Sequence, residues 1–192
     1  MKTIVLTLVV SVTTFVSVAA DAAFDCIIAS DRTTYAVGQV PAITVSITNK
    51  SPKEVMLVGS LDGSDVGWRF PKCRLEILDA EGKPVTAPMF RCGNMNVLKT
   101  TDFIAVPAGK TFNPFGKGFF PPSQFYQFPV TTPGDYTLHF YYSTSDRVQD
   151  YFGDERGSQT NATPEIQRLF ERVPKLELKS NTLKLKFVPK SK

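Results

Sequence analysis

Three separate stretches alternate apolar and polar residues strictly, and this limits the fold more than any other feature. In "PAITVSITNKS" Ile43, Val45 and Ile47 alternate with Thr44, Ser46 and Thr48. In "TTPGDYTLHFYYS" Tyr136, Leu138, Phe140 and Tyr142 fall on one side, and in "TLKLKFV" Leu183, Leu185 and Phe187 alternate with lysines. Successive side chains of an extended chain point to opposite faces, so each stretch is a strand with one face in a core and one in water. Asn49 to Pro52 supplies turn chemistry after the first stretch, and "KEVMLVGS" is expected to return as its partner. Further strands are predicted at Phe24 to Ala29, Cys73 to Leu78 and Phe103 to Val106. Roughly seven or eight short strands at this spacing predict an all-β antiparallel sandwich.

The turn before Tyr136 narrows the class. A Pro-Gly turn followed closely by a tyrosine is the pattern of the tyrosine corner, in which the hydroxyl bonds back to upstream backbone, so the sandwich is expected to be immunoglobulin-like. Leu138 stands where antibody domains carry their second cysteine, so that inter-sheet disulfide is absent from the pattern. One insertion, residues 144 to 180, precedes the last strand. Within it "NATPEIQRLFERVPK" places Thr163 as N-cap, Pro164 at the first helical position and Ile166, Leu169, Phe170 and Val173 on one face. This predicts a short helix ending before Pro174 and covering an open edge of the sandwich.

The first twenty residues read as a secretory signal: Lys2, an apolar run from Ile4 to Val18, then Val18-Ala19-Ala20 for cleavage. The mature chain, residues 21 to 192, is expected to be a single exported domain, periplasmic or extracellular, without stable membrane insertion. No lipobox precedes Cys26. Loss of Lys2 lowers the formal charge from +4 to +3, too small and dispersed a charge to imply nucleic acid binding. Three cysteines allow at most one intramolecular disulfide. Cys73 and Cys92 flank two strand-like runs around an Asp-Ala-Glu-Gly-Lys turn and are the expected pair, leaving Cys26 as a free thiol.

The succession "ITVSITNKSPKEVML", "CRLEILDAEGKPV", "TDFIAVPAGKTF" and "TTPGDYTLHF" resembles, in order and spacing, the BsuPI type of intracellular proteinase inhibitor domain. The match covers about residues 35 to 145. It implies a compact immunoglobulin-like sandwich, and its motifs are strand and turn chemistry, which specify fold better than function. The export signal, the cysteine hairpin, the aromatic segment after Phe112 and the helical insertion depart from that pattern, and no inhibitory residue is carried over.

Residues that carry chemistry are sparse. His139 is the only histidine and points away from the tyrosine-bearing face, which reads as a solvated or sheet-packed side chain. No G-x-S-x-G nucleophile motif and no C-x-x-C spacing occurs, so no catalytic residue and no cofactor is expected. Two acidic stretches offer oxygen ligands for a hard cation: "LDGSD", with Asp62 and Asp65, and "SDRVQDYFGDE", with Asp146, Asp150, Asp154 and Glu155. Neither matches an EF-hand, and both read as turn carboxylates. The lysines of "TLKLKFV" read as an edge-strand guard against aggregation, or as a basic stripe toward anionic polymer.

The densest aromatic segment is "FNPFGKGFFPPSQFYQFP", residues 112 to 129, with six phenylalanines and a tyrosine. So many exposed rings would be an aggregation liability, so the segment is expected to be an internal plug between the sheets. The alternative is a tip that presents Phe115, Lys117, Phe119 and Phe120 to a partner. The chain is therefore read as a monomeric, exported, non-enzymatic domain that recognises a protein or a cell-surface component through loops at one end of the sandwich. A proteinase inhibitor and a structural envelope or cell-wall module are the alternatives.

Overall fold

The computed structural model describes residues 23–67, 69–86, 98–116, 118–119, 128–145 and 163–190. Its strands are β1 (Phe24–Ser30), β2 (Thr34–Ala36), β3 (Ile43–Asn49), β4 (Val55–Val58), β5 (Lys72–Leu78), β6 (Phe103–Val106), β7 (Thr111–Phe112), β8 (Gly134–Ser143), β9 (Glu177–Lys179) and β10 (Leu183–Val188). One helix, α1 (Pro164–Arg172), precedes β9. The count exceeds seven or eight because two lengths of chain are each broken in two, β6 from β7 by the turn at Pro107 to Lys110 and β9 from β10 by a bulge.

The first layer joins β1, β3 and β7 in that order and, beside it, the pair β4 and β6. The second layer runs β2, β10, β8, β5, with β9 also on β8. All pairings are antiparallel except β2 on β10. Between the layers lies one apolar core, which takes Ile28, Val45, Ile47 and Leu57 from one side and Ile77, Leu138, Phe140, Leu185 and Phe187 from the other. The all-β sandwich expected from alternation is present.

Two side-chain joints fix strand ends within the layers. Asn49, wholly buried, donates from Nδ2 to the carbonyls of Lys53 at 2.8 Å and Val106 at 2.9 Å, while its Oδ1 accepts from the Ser51 amide at 3.0 Å. It thus ties the end of β3 to the end of β6, satisfying carbonyls that burial would otherwise leave costly. At the far end Tyr136 donates its hydroxyl to the Thr132 carbonyl at 2.9 Å. That bond closes the corner into β8.

β9 and β10 share one edge of β8, with Lys179 opposite Tyr141 but Leu183 opposite Leu138. Four steps on one side meet three on the other, so one extra residue is bulged out. Asn181 lies in that bulge and turns to the free edge of β1. Its carboxamide accepts from the Ile28 amide at 2.7 Å and donates to the Ile28 carbonyl at 3.2 Å, and its own amide donates to the Cys26 carbonyl at 3.3 Å. An edge strand that would template further pairing is thereby occupied.

Two sequence expectations change. β4 pairs with β6 rather than returning on β3. The reason is its continuous apolar run: Val55 and Leu57 face the sandwich core, while Met56 and Val58 face a second core with Phe70, Leu98, Phe103, Ile166, Phe170 and Val173. A strand buried on both faces has no polar side to give to water. The lysine-bearing β10 is not an edge strand either, because β2 pairs with its last three residues on the side away from β8. Lys184 and Lys186 are exposed on the outer face of the second layer.

Candidate functional site

Loops gather at the end of the sandwich where β4 finishes and β5 begins. Residues 59–71 leave β4 at Gly59, whose amide donates to the Asp102 carbonyl at 3.1 Å, and the Ser60 amide donates to the Pro114 carbonyl at 2.8 Å. The same loop carries Phe70, which meets Phe170 of α1 edge to face at 5.0 Å between ring centres. Three further segments, around 98–102, 113–119 and 163–176, are thus fastened to one loop. α1 begins as the sequence indicates, with Thr163 Oγ1 accepting from the Ile166 amide at 3.3 Å and Pro164 opening the helix.

Ser64 is the hub of the loop. Its hydroxyl accepts from the Leu61 amide at 2.9 Å, and its carbonyl accepts from the amides of Gly67 at 3.2 Å and Cys73 at 2.8 Å. Gly63 and Gly67 take positive φ values of 88° and 74°, which side-chain-bearing residues rarely adopt. Arg69 is 1% exposed, and its Nη1 donates to the Asp62 carbonyl at 3.5 Å. Asp65 is buried in the same loop. Burial raises the Asp102 carboxyl above its ordinary range, against the lowering effects of the Lys99 amide bond and the Arg69 and Lys99 charges. The stretch singled out as a cation loop therefore closes around a guanidinium. Among the described residues, no three acidic, histidine or cysteine side chains gather as a metal set. Asp146, Asp150, Asp154 and Glu155 lie outside the described residues.

Phe115 and Phe119, from the proposed aromatic tip, are half-buried against the sandwich core. Phe115 meets Phe140 edge to face at 5.5 Å, and Phe119 meets Phe112 at 6.1 Å. The Phe119 ring lies so close over Gly59 that a Cβ there would fall 2.0 Å from it. Phe128 stacks on Phe187 at 5.5 Å. Lys117 and Phe120 lie outside the described residues.

The two described thiols are internal. Cys26 is free and buried, and burial, with Asp25 adding to it, pushes its pKa up to about 12. Cys73 is also a free thiol, wholly buried, and burial raises it further. Cys92, its expected partner, lies outside the described residues. Beside Cys73 the Tyr142 hydroxyl spans the core to β4, donating to the Val58 carbonyl at 2.8 Å and accepting from the Val58 amide at 3.1 Å.

On the outer face of the second layer, sheet register aligns side chains in rows. His139 lies opposite Glu76, and Tyr141 lies between Arg74 on β5 and Lys179 on β9. His139 Nε2 is 3.1 Å from Thr182 Oγ1, and Nδ1 is 3.5 Å from Glu76 Oε2. Tyr141 donates its hydroxyl to the same Oε2 at 2.9 Å, and the Arg74 guanidinium lies 4.4 Å from the Tyr141 ring centre. Sequence inspection located His139 but not Thr182, which the bulge brings beside it. Arg69 was missed as well; a lone arginine between Trp68 and Phe70, followed by Pro71, was the available signal of a structured, partly apolar loop.

No family model, curated protein or solved structure matches this chain.

Proposed function

We propose that the chain is an exported, non-enzymatic, immunoglobulin-like β-sandwich module that binds a protein or a cell-surface component through its loop end. Residues 1–20 serve as the export signal, and the mature domain acts in the periplasm or outside the cell. The observation that carries this reading is the fastening of three chain segments onto the loop 59–71, around buried Arg69 and over a second apolar core. Loops held this firmly present a fixed shape, which lowers the ordering cost of recognition. The Tyr136 corner supports the immunoglobulin-like assignment, and kinship with the BsuPI-type domain belongs to the same proposal. The inhibitor alternative draws less support, because the described rings of the aromatic segment pack inward.

Site-specific photo-crosslinking in cells exporting the chain tests the proposal, with the crosslinker at exposed Thr101 or Asn113 at the loop end and at exposed Glu81 in the opposite turn. Adducts of one discrete mass from Thr101 and Asn113 alone are expected. Equal adducts from Glu81, or none from the loop end, would remove the loop end as the binding surface.

A further inference from the structure

The row Thr182, His139, Glu76 has an arrangement that plain sheet packing does not require. Thr182 is exposed, and its hydroxyl lies 3.1 Å from Nε2 of a histidine whose side chain is only 12% exposed. On the other side of the ring, Nδ1 faces the Glu76 carboxylate at 3.5 Å, a charge contact longer than a good hydrogen bond. Proton on Nδ1 and lone pair on Nε2 is the tautomer that a carboxylate at that position favours. Glu76 is itself held by the Tyr141 hydroxyl at 2.9 Å and approached by Arg74 at 3.9 Å. Hydroxyl, imidazole and carboxylate thus stand in the relative order that activates a nucleophile, with the step from imidazole to carboxylate a charge contact and not a hydrogen bond.

We propose that Thr182 is an acyl-acceptor site, activated by His139, for small carboxylic esters. Thr182 Oγ attacks the ester carbonyl carbon while its proton passes to His139 Nε2. The tetrahedral adduct then collapses, the bond to the leaving alcohol breaks, and the leaving oxygen takes the proton back from His139. The product is a Thr182 ester and a free alcohol, with no other reactant. His139 acts on the reacting hydroxyl, whereas Glu76 is a positioning residue. The charged and titratable groups around the ring are Glu76 and Arg74 of β5, Tyr141 of β8, Lys179 of β9 and Lys184 of β10. The modification is stoichiometric, so it goes beyond the binding role and stands or falls separately from it.

The test incubates the folded chain with p-nitrophenyl acetate and follows p-nitrophenolate release together with peptide mass mapping. One equivalent of acetyl on Thr182 is expected, removable by hydroxylamine as an ester is and a lysine amide is not. Thr182→Val, a change at an exposed position, abolishes it, and His139→Gln slows it by roughly 100-fold or more. Free imidazole restores labelling to His139→Ala. Glu76→Gln changes the shape of the rate against pH, where loss of a packing contact would only scale it; an unchanged shape removes Glu76 from the assignment. Acetyl found on lysines alone, or Thr182 labelling at an unaltered rate in His139→Gln, overturns the proposal.

Discussion

Replacing Tyr142 with phenylalanine removes one oxygen from the interior and nothing else. The ring keeps its edge contact with Phe112, 6.5 Å between centres. The loss falls on Val58, whose amide and carbonyl both meet that hydroxyl, at 3.1 and 2.8 Å. A buried backbone group deprived of its partner costs about 1–3 kcal/mol, so the two together predict a loss of roughly 2–6 kcal/mol. For a chain of this length that is a fall in melting temperature of roughly 4–24 °C. Urea unfolding measures it, and hydrogen exchange at the Val58 amide localises it. The control is Tyr141→Phe on the outer face, which removes a half-buried bond to Glu76 and is expected to cost less than about 1 kcal/mol. If Tyr142→Phe proves no more costly than that control, or leaves Val58 exchange unchanged, the hydroxyl is not the link between the two layers.

Other changes test the remaining contacts. Gly59→Ala puts a methyl group into the Phe119 ring and should cost about 1–3 kcal/mol and raise dye binding to exposed apolar surface; an unchanged melt would mean that the ring does not rest there. Asn181→Ala frees the β1 edge, and light scattering at rising concentration should show association that the wild type lacks. Asp102 has a raised folded pKa, so ionising it opposes folding: the cost is absent below the unfolded pKa and complete above the folded one. Asp102→Asn should therefore stabilise the protein at neutral pH and leave it unchanged in acid, as melts at both pH values would reveal. For Cys26 the folded thiol resists ionisation up to about 12 while the unfolded one ionises near 9.0, so stability drains away as pH rises through that window; Cys26→Ala should flatten the alkaline limb of the stability curve.

Strand positions were largely legible because alternation needs only neighbours: β1, β3, β5, β6, β8 and β10 fall where their patterns place them. Helix α1 was equally legible, since Thr163, Pro164 and the spacing of Ile166 and Phe170 are local signals. Partners were harder. "VMLV" marks β4 as a strand, but its continuous apolarity signalled two-sided burial, and only the position of α1 explains the second face. The lysines of β10 suggested an edge because a pattern of two reports the faces of a strand and not its flanks. At the candidate sites, Thr182 and His139 are far apart in sequence, and a one-residue bulge decides whether they meet. Burial of Arg69 likewise depends on a loop closing over it, which no periodicity encodes.

The four residues of β4 form a party wall. Val55 and Leu57 belong to one interior and Met56 and Val58 to the other, so a change in volume on either side presses on the same short length of backbone. Close-packed interiors transmit such strain rather than absorb it. Helix α1 and the loop end are therefore not an appendage that can loosen while the sandwich stays intact. Whatever shifts the loops must also be felt, through Val58 and Tyr142, in the opposite sheet.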